Sequence, residues 1–381
     1  NSNSSYTISI DIPSGVEGDT GYIQGKAISA DLTLAVALPK LGYYEADGVR
    51  LVGDVEVLRV GFPRVLLTEG NKRLLNLEDV VDPSSKRDKF ADKKVFGHAL
   101  CLGGSHGLTG ALVMASQAAL KTGAGLVTAA TWEPQYKELM DRLIPEIMTG
   151  YLPLDISKWP RLIKDINKYS SIVIGPGLAR STRARRLTLE ILNNFDGPVV
   201  LDADAINVLK LNEDKGAFTV RNAPTVITPH FGEFARFCNI DYADLERRPV
   251  EHLQNLVEQI NCSVILKGPC TYMGLSDGNV FFNYYPNDGM ATGGVGDVLA
   301  GILAGLLGQE PELKDKGISL SERYKVFNQT LGMSVLAHTM SGHFAAEKYG
   351  VRAMTASSLI DSFSKTFQEL ESQMDKIIYG E

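Results

Sequence analysis

Cysteine and histidine are scarce in this chain, and neither is spaced as a metal site requires. The 381 residues include six histidines and four cysteines, Cys101, Cys238, Cys262 and Cys270. No Cys-x-x-Cys pair occurs and no cysteine has a nearby pair of histidines, so the usual patterns of a structural zinc site are excluded. We expect buried thiols in a reducing compartment.

Long basic runs and long apolar runs are also missing. The formal net charge is -7, which argues against nucleic acid or an anionic membrane surface as the main partner. The apolar run 298–307 is followed by Gly308, Gln309 and Glu310, so it is shorter than a membrane span. The length allows two globular domains, and we expect a cytoplasmic location.

The chain does contain a cluster of glycines at the start of an apolar helix. Gly293, Gly294 and Gly296 precede Asp297, and residues 298–307 are apolar around almost the whole circumference, which predicts a buried helix. Free N–H groups and the helix dipole make such a start a seat for a phosphate. A carboxylate there repels phosphate unless it accepts a proton from an attacking hydroxyl, so Asp297 is a candidate base for phosphoryl transfer. Alternatively, Asp297 only caps the helix.

From Ala99 onward, apolar strands alternate with helix-length segments. We predict strands at 99–102, 125–130, 171–175, 198–202, 224–228 and 263–267, a hairpin at 270–285, and helices at 108–122, 133–143, 181–194, 230–237, 249–260 and from 297. Apolar strands between helices indicate a mostly parallel sheet covered on both faces, which is a three-layer α/β/α domain. In such sheets ligands bind beyond the carboxyl ends of the strands.

Six blocks of sequence, in order, resemble one known family. They are Gly103-Gly104-Ser105 with Thr109-Gly110-Ala111, Gly175-Pro176-Gly177-Leu178, Leu201-Asp202-Ala203-Asp204-Ala205, Thr228-Pro229-His230-Phe231-Gly232-Glu233, Leu266-Lys267-Gly268, and Gly289-Met290-Ala291-Thr292-Gly293-Gly294-Val295-Gly296-Asp297. Together they resemble the NAD(P)H-hydrate dehydratases, a branch of the ribokinase-like superfamily. Phe231 stands where that family usually carries proline.

The resemblance implies roles for residues at the strand ends. Contacts to the hydrated cofactor fall to Ala111, Gly177, His230 and Asp297, and the nucleotide site falls to Lys267, Gly268, Pro269, Cys270, Thr271, Gly293, Gly294 and Gly296. Taken alone, His230 at a helix start is more often a cap or a packing residue. Lys267 alone reads as a lysine reaching out from a strand end. Asp202 and Asp204 end a strand and are candidate ligands of Mg²⁺, or helix caps.

The first part of the chain resembles a different family. Short strands are predicted at 6–12, 30–37 and 52–60, and the blocks Asp11-Ile12-Pro13-Ser14-Gly15, Asp19-Thr20-Gly21, Ala30-Asp31, Lys40 and Gly61-Phe62-Pro63 resemble the last third of the NAD(P)H-hydrate epimerase domain. The resemblance implies that Asp11 contacts the hydrated substrate and that Ser14 helps to bind K⁺. A plain junction of strand and turn explains both residues equally well.

We therefore predict an epimerase-like remnant, a partial Rossmann-like α/β segment, at residues 1–68. A charged, exposed linker follows at 69–96, and a ribokinase-like dehydratase domain at 97–381. About sixty residues bury too little apolar surface to be stable alone. The family's phosphate loop and its other potassium ligands belong upstream, so we expect no epimerase activity from this chain by itself. Either a separate chain supplies the rest, or the chain is truncated.

The combined prediction is a lyase that repairs nicotinamide nucleotides. With Mg²⁺, ADP or ATP phosphorylates the ring hydroxyl of the (S)-hydrates of NADH and NADPH (NADHX and NADPHX), and loss of phosphate restores the reduced cofactor, with AMP or ADP as product. A small-molecule alcohol kinase of the same superfamily and a non-catalytic nucleotide-binding module remain as alternatives. The family suggests a homo-oligomer, a tetramer or larger, with neither nucleic acid nor a membrane as partner.

Overall fold

The computed structural model describes residues 6–67, 70–80, 87 and 89–379, and the strands in this part form two sheets. The strands are β1 (Ile8–Ile10), β2 (Leu32–Val36), β3 (Asp54–Leu58), β4 (Lys72–Leu74), β5 (His98–Leu102), β6 (Leu126–Trp132), β7 (Met148–Leu152), β8 (Ser171–Ile174), β9 (Val199–Leu201), β10 (Thr225–Ile227), β11 (Ser263–Leu266), β12 (Cys270–Gly274) and β13 (Val280–Tyr284). The first three strands form a small sheet and the other ten a large one.

Helices connect and cover these strands. They are α1 (Gly48–Leu51), α2 (Arg64–Leu67), α3 (Thr109–Lys121), α4 (Tyr136–Arg142), α5 (Trp159–Lys164), α6 (Thr182–Asn194), α7 (Asp204–Asn207), α8 (Leu211–Thr219), α9 (Phe231–Cys238), α10 (Tyr242–Arg247), α11 (Pro249–Ile260), α12 (Val295–Leu307), α13 (Leu320–Tyr349), α14 (Ala356–Asp361) and α15 (Phe363–Tyr379). Short 3₁₀ helices lie at Leu41–Tyr43, Leu77–Asp79, Glu133–Gln135, Ile156–Lys158, Ile166–Lys168, Asp288–Met290 and Pro311–Leu313. No helix among the described residues is both long and apolar enough to cross a membrane.

The large sheet brings the ends of its central strands to one edge. Its order is β4-β13-β12-β11-β10-β9-β8-β5-β6-β7. Neighbouring strands run parallel except where β12 pairs antiparallel with β11 and β13. Because parallel strands end at the same edge of a sheet, the loops after β5, β8, β9, β10 and β11 meet there. These loops carry most of the predicted site residues.

Helices pack on both faces of the large sheet. Residues of α3, α12 and α13 share one buried cluster with Val173, Val200 and Val226 of the central strands. Residues of α6, α8, α9 and α11 share another with Ile172 and Leu201 on the opposite face. In α12, ten of the 13 residues are buried, as its apolar circumference predicts. The predicted three-layer α/β/α architecture is confirmed.

One segment differs from the prediction. β4 pairs parallel with β13, with Lys72 opposite Val280, so part of the predicted exposed linker 69–96 is an edge strand of the large sheet. Its residues, Lys-Arg-Leu, are too few and too polar to show a strand pattern. Residues 69, 81–86 and 88 of the predicted linker lie outside the described part of the chain, and the predicted domain boundaries remain predictions.

The small sheet is attached to the large one by specific hydrogen bonds. The Tyr272 hydroxyl donates to the Tyr44 carbonyl, and the Tyr284 hydroxyl donates to the Val49 carbonyl at 2.9 Å. The Val250 N–H, in the first turn of α11, donates to the Glu45 carboxylate at 3.2 Å. The N-terminal unit therefore supplies an acceptor for a helix start of the larger unit.

Glu45 should make stability depend on pH. Burial raises the pKa of Glu45 to about 7 although the Val250 N–H opposes the shift. A raised pKa means that the protonated carboxyl is the favoured form in the fold. Its stabilisation is complete below the unfolded pKa and is lost as pH rises towards 7. We expect Glu45→Gln, which cannot ionise, to raise the free energy of unfolding by about 1–3 kcal/mol at pH 8 and to change little at pH 5.

Urea unfolding at both pH values measures this difference. Glu258→Gln is the matched control, because Glu258 is an exposed carboxylate on the same helix, α11, and does not contribute to the pKa shift of Glu45. A Glu45→Gln protein that is less stable than the parent at pH 8 would contradict the assignment.

A buried arginine fixes the end of α6. Arg221 is 8% exposed, and its guanidinium donates to the carbonyls of Leu192 at 2.8 Å, Phe195 at 2.6 Å and Gly197. Its Nε donates to Thr225 Oγ1 at 2.8 Å. Carbonyls at a helix end have no partner within the helix. This single side chain therefore supplies hydrogen-bond donors to the carbonyls of the turn that leads into β9.

Candidate active site at the start of helix α12

Helix α12 begins with a glycine in the left-handed region. Gly294 is its N-cap with φ +92°, and a Cβ added there would overlap the Met114 side chain. The helix begins at Val295, two residues earlier than predicted. Gly296 therefore lies inside the first turn, which corrects the prediction that it precedes the helix. Gly293, Gly294 and Gly296 remain together around the helix start.

Asp297 is a carboxylate in the first turn of α12 with a shifted pKa. The N-cap is Gly294, so the alternative that Asp297 is the cap is wrong. Partial burial, together with the negative charge of Asp202, raises the pKa of Asp297 to about 7, while Lys267 opposes the shift. In the described part of the chain no group donates a hydrogen bond to this carboxylate. Asp297 can therefore take up or release a proton near neutral pH, as a general base must.

Lys267 forms an ion pair beside Asp297. Its Nζ donates to Asp202 Oδ1 at 2.7 Å, and Thr228 Oγ1 donates to the same oxygen at 2.7 Å. Burial alone lowers the pKa of Lys267, but the charges of Asp202, Glu233 and Asp297 raise it above its ordinary value. Lys267 is therefore a fixed positive charge next to the helix start, where a phosphate needs one.

His230 is the N-cap of α9. Its Nδ1 accepts from the N–H groups of Gly232 at 3.0 Å and Glu233 at 3.3 Å, and Glu233 accepts from the His230 N–H at 3.0 Å. With Nδ1 accepting, the proton lies on Nε2, and burial lowers the pKa of this ring. The capping alternative is confirmed. Contact with the hydrated cofactor through the outer Nε2–H remains a prediction.

The glycine loops after β5 and β8 pack on each other. The Gly104 N–H donates to the Pro176 carbonyl at 2.9 Å, and the Ser105 N–H to the Gly177 carbonyl at 2.5 Å. Gly177 has φ +62°, and a Cβ there would overlap the Leu108 carbonyl, so glycine is required by the fold itself. Ala111, in the first turn of α3, is partly buried. Substrate contact by Ala111 and Gly177 remains a prediction.

The residues of the predicted nucleotide loop differ in their exposure. Gly268 and Pro269 are exposed, whereas Cys270 is 1% exposed and belongs to the core shared with the N-terminal unit. Any contact of Cys270 with a nucleotide would have to use its backbone. Thr271, the next residue, is partly buried and points to the opposite face, because side chains alternate along a strand.

The carboxylates of Asp202 and Asp204 have different hydrogen-bond partners. Asp202 holds Lys267, whereas Asp204 accepts from the Ala179 N–H at 2.9 Å and from Arg180 Nε at 3.4 Å. No group of three or more histidine, cysteine, aspartate or glutamate residues that could hold a metal is found among the described residues. Mg²⁺ is usually bound by one or two carboxylates together with phosphates of the substrate. A magnesium role for either aspartate remains a prediction.

One site residue was missed by sequence reasoning. His338 of α13 donates from Nε2 to the Val295 carbonyl at 3.0 Å, at the start of α12. Burial lowers its pKa to about 4, so it is neutral. The sequence carried no signal, since nothing in the segment around His338 shows which helix it faces. His343 lies instead on the exposed side of α13, 3.2 Å from Glu347.

The N-terminal candidates lie in the small sheet. The Asp11 carboxylate accepts from Lys40 Nζ and, at 3.0 Å, from the Val36 N–H. Although burial opposes the shift, these bonds lower the pKa of Asp11 below its ordinary value. Ser14 is exposed, and its role as a potassium ligand and that of Asp11 as a substrate contact remain predictions.

Two protein families match this chain. Residues 99–365 match the family described as NAD(P)H-hydrate dehydratase. Residues 1–42 match the family described as YjeF-related protein N-terminus. The first match contains all the predicted site residues of the large sheet.

Relatives and solved structures agree with these matches. The bifunctional NAD(P)H-hydrate repair enzyme of Moorella thermoacetica is 36% identical, over 98% of this chain and 68% of that protein. The Escherichia coli enzyme of the same name is 30% identical, over 96% of this chain and 66% of that protein. The Bacillus subtilis ADP/ATP-dependent NAD(P)H-hydrate dehydratase, co-crystallised with ATP and Mg²⁺, aligns with a TM-score of 0.64 and 24% identity, over 78% of this chain and 98% of that chain. A ribokinase-like superfamily protein of Enterococcus faecalis gives a TM-score of 0.63 and 24% identity, over 79% and 96%.

The structural alignments confirm the predicted ribokinase-like fold. The sequence matches confirm the resemblance that the motifs suggested, from the first glycine block to the helix start at Asp297. The chain belongs to the NAD(P)H-hydrate dehydratase family.

Proposed function

We propose that Asp297 is the base with which this NAD(P)H-hydrate dehydratase dehydrates the (S)-hydrates of NADH and NADPH. The observation that supports it best is the position of Asp297. It lies in the first turn of α12, close enough to Lys267 for the two charges to interact, and has a pKa of about 7. A base, a fixed cation and a helix start that attracts phosphate are the groups that phosphoryl transfer needs.

The reaction has two chemical steps. The ring hydroxyl of the hydrate attacks the terminal phosphorus of ADP or ATP, its proton passes to Asp297, and the bond to the bridging oxygen breaks to release AMP or ADP. The lone pair of the ring nitrogen then expels phosphate, and loss of a proton from the neighbouring ring carbon restores the double bond of NADH or NADPH. Hydroxide is a poor leaving group at neutral pH, so the phosphorylation makes the elimination possible.

The charged groups around Asp297 suit the first step. Lys267 and the N–H groups at the start of α12 would stabilise negative charge on the transferring phosphoryl group. Mg²⁺, held mainly by the nucleotide phosphates, would neutralise further charge, with Asp202 or Asp204 bound directly or through water. The Asp202–Lys267 pair keeps the lysine in place before a phosphate arrives.

The proposal is tested by adding NADHX, Mg²⁺ and either ADP or ATP to the protein and following the near-ultraviolet absorbance of NADH. We expect absorbance to return only with nucleotide, with one phosphate released for each NADH. The more effective nucleotide is the donor. A stable phosphoester in place of NADH would identify an alcohol kinase, and nucleotide binding with neither product would identify a binding module.

We further propose that the small sheet is completed by additional epimerase-like structure. Parallel sheets are normally covered on both faces, yet Ile8 and Ile10 of the edge strand β1 are 54% and 73% exposed. The relatives extend beyond the matched part, since this chain spans 68% of the Moorella thermoacetica enzyme. Epimerase activity, with its K⁺, would require that additional structure. Assembly into a tetramer or larger oligomer also remains a prediction.

A further inference from the structure

One buried amide oxygen near the predicted nucleotide loop has no hydrogen-bond partner among the described residues. Asn283 of β13 is 5% exposed. Its Nδ2 donates to Thr339 Oγ1 of α13 at 2.7 Å, but its Oδ1 has no partner among the described residues. The amide could be turned over, since a hydroxyl can also donate. One end would still be unpaired. An unpaired buried polar atom costs free energy, and native proteins rarely retain one without a reason.

Asn283 lies on the nucleotide side of the hairpin. It is directly opposite Thr271 in the β12–β13 ladder, and directly opposite residues point to the same face. Thr271 is the last residue of the predicted nucleotide loop that begins at Lys267. The face is that of α13, because Met273 and Phe281, the pair two residues away in the ladder, pack in the cluster that contains α13 residues.

The same helix connects Asn283 to the start of α12. Thr339, which holds the Asn283 amide, follows His338, which donates to the Val295 carbonyl. The residue that holds the Asn283 amide and the residue that contacts the first residue of α12 are therefore consecutive in α13. In the described part of the chain, the other two unpaired buried side-chain atoms belong to Glu312 and Arg323. Arg323 is about 24 Å from Thr339 along α13 at 1.5 Å per residue.

We propose that Asn283 is a specificity residue for the phosphoryl donor: its carboxamide accepts a hydrogen bond from the nucleoside half of the bound nucleotide. This inference rests on the proposed function, because it assumes that the nucleotide binds at the Lys267 loop. An adenine nucleotide has two kinds of donor that can bind an amide oxygen. They are the amino group of the base and the hydroxyls of the ribose. Thr339 acts as a positioning residue, since its hydroxyl holds the other end of the amide.

The test measures dissociation constants by calorimetry in the presence of Mg²⁺. The ligands are ADP, inosine diphosphate, which lacks the amino group, and 2′,3′-dideoxy-ADP, which lacks the hydroxyls. We expect the parent protein to bind one analogue roughly tenfold more weakly than ADP. Asn283→Leu should weaken ADP binding roughly tenfold and bind ADP and that analogue equally. Thr339→Val should weaken ADP binding in the same direction by a smaller factor.

Asn328→Leu is the matched control. Asn328 is also a buried asparagine and lies in α13 itself, but both ends of its amide are paired, with Ser263 at 3.3 Å and Asp277 at 3.1 Å. Its loss should lower the melting temperature and leave nucleotide affinity unchanged. If Asn283→Leu binds ADP as the parent does, or keeps the same preference between the ligands, the inference is wrong while the proposed function stands. If the parent binds no nucleotide, both are wrong.

Discussion

Replacing Asp297 with asparagine should lower kcat for the dehydration of NADHX by roughly two to four orders of magnitude. Asparagine has nearly the same shape but cannot accept the hydroxyl proton, so phosphoryl transfer loses its base. Nucleotide binding should persist, because the N–H groups of α12 and Lys267 are unchanged. The rate of NADH recovery and the calorimetric affinity for ADP together measure the two effects.

The pH dependence of the parent enzyme gives an independent readout. Only ionised Asp297 can accept a proton, and its pKa is about 7. The value of kcat/KM should therefore fall about tenfold for each pH unit below 7 and level off above it. Asp297→Asn should lose this dependence. Asp361→Asn is the control, because that carboxylate is 57% exposed and forms an ion pair with Lys121 at 3.4 Å, remote from α12's first turn in the chain. Full activity of Asp297→Asn would exclude Asp297 as the base.

Replacing Arg221 with methionine should lower the free energy of unfolding by roughly 3–5 kcal/mol. The substitution keeps much of the volume but leaves the buried carbonyls of Leu192, Phe195 and Gly197 without a donor. Burial lowers the pKa of Arg221 to about 10, so the guanidinium is charged at neutral pH. Urea unfolding measures the loss.

Arg183→Met separates this effect from the loss of any arginine. Arg183 lies on the exposed side of the same helix, α6, and its removal should change stability by less than about 0.5 kcal/mol. Arg221→Lys keeps the charge but cannot form the planar fork, so it should lose an intermediate amount. Equal stability of the two methionine variants would contradict the role given to Arg221.

The sequence predicted those strands and helices whose pattern of apolar and polar residues matches the burial that the fold gives them. Strands such as Val199–Leu201 are apolar throughout because both faces are covered, and α6 shows the two-sided pattern of a helix with one face in solvent. The edge strand β4 was missed, because at an edge the pairing partner, here β13, decides the structure more than the residues do.

The sequence predicted the part of the site that is formed by the backbone at the start of α12. A glycine cluster before an apolar helix indicates the phosphate seat, and the position of Asp297 follows from the helix. The environment of Asp297 was not predictable, because its pKa depends on Asp202, Glu233 and Lys267, which arrive from three other strand ends. The unpaired amide oxygen of Asn283 could not be predicted from the sequence either, because the hydrogen-bond partners of a buried polar group depend on which residues surround it in the fold.

The contact between Glu45 and the first turn of α11 bears on how such two-part chains can be divided. A cut placed after β3 would remove the acceptor of the Val250 N–H, the carbonyl that accepts from the Tyr272 hydroxyl, and the Tyr44 ring that packs against Phe282 and Tyr284. A dehydratase domain that stands alone is therefore expected to differ from this chain at that surface, with less exposed aromatic area and another acceptor at the start of α11.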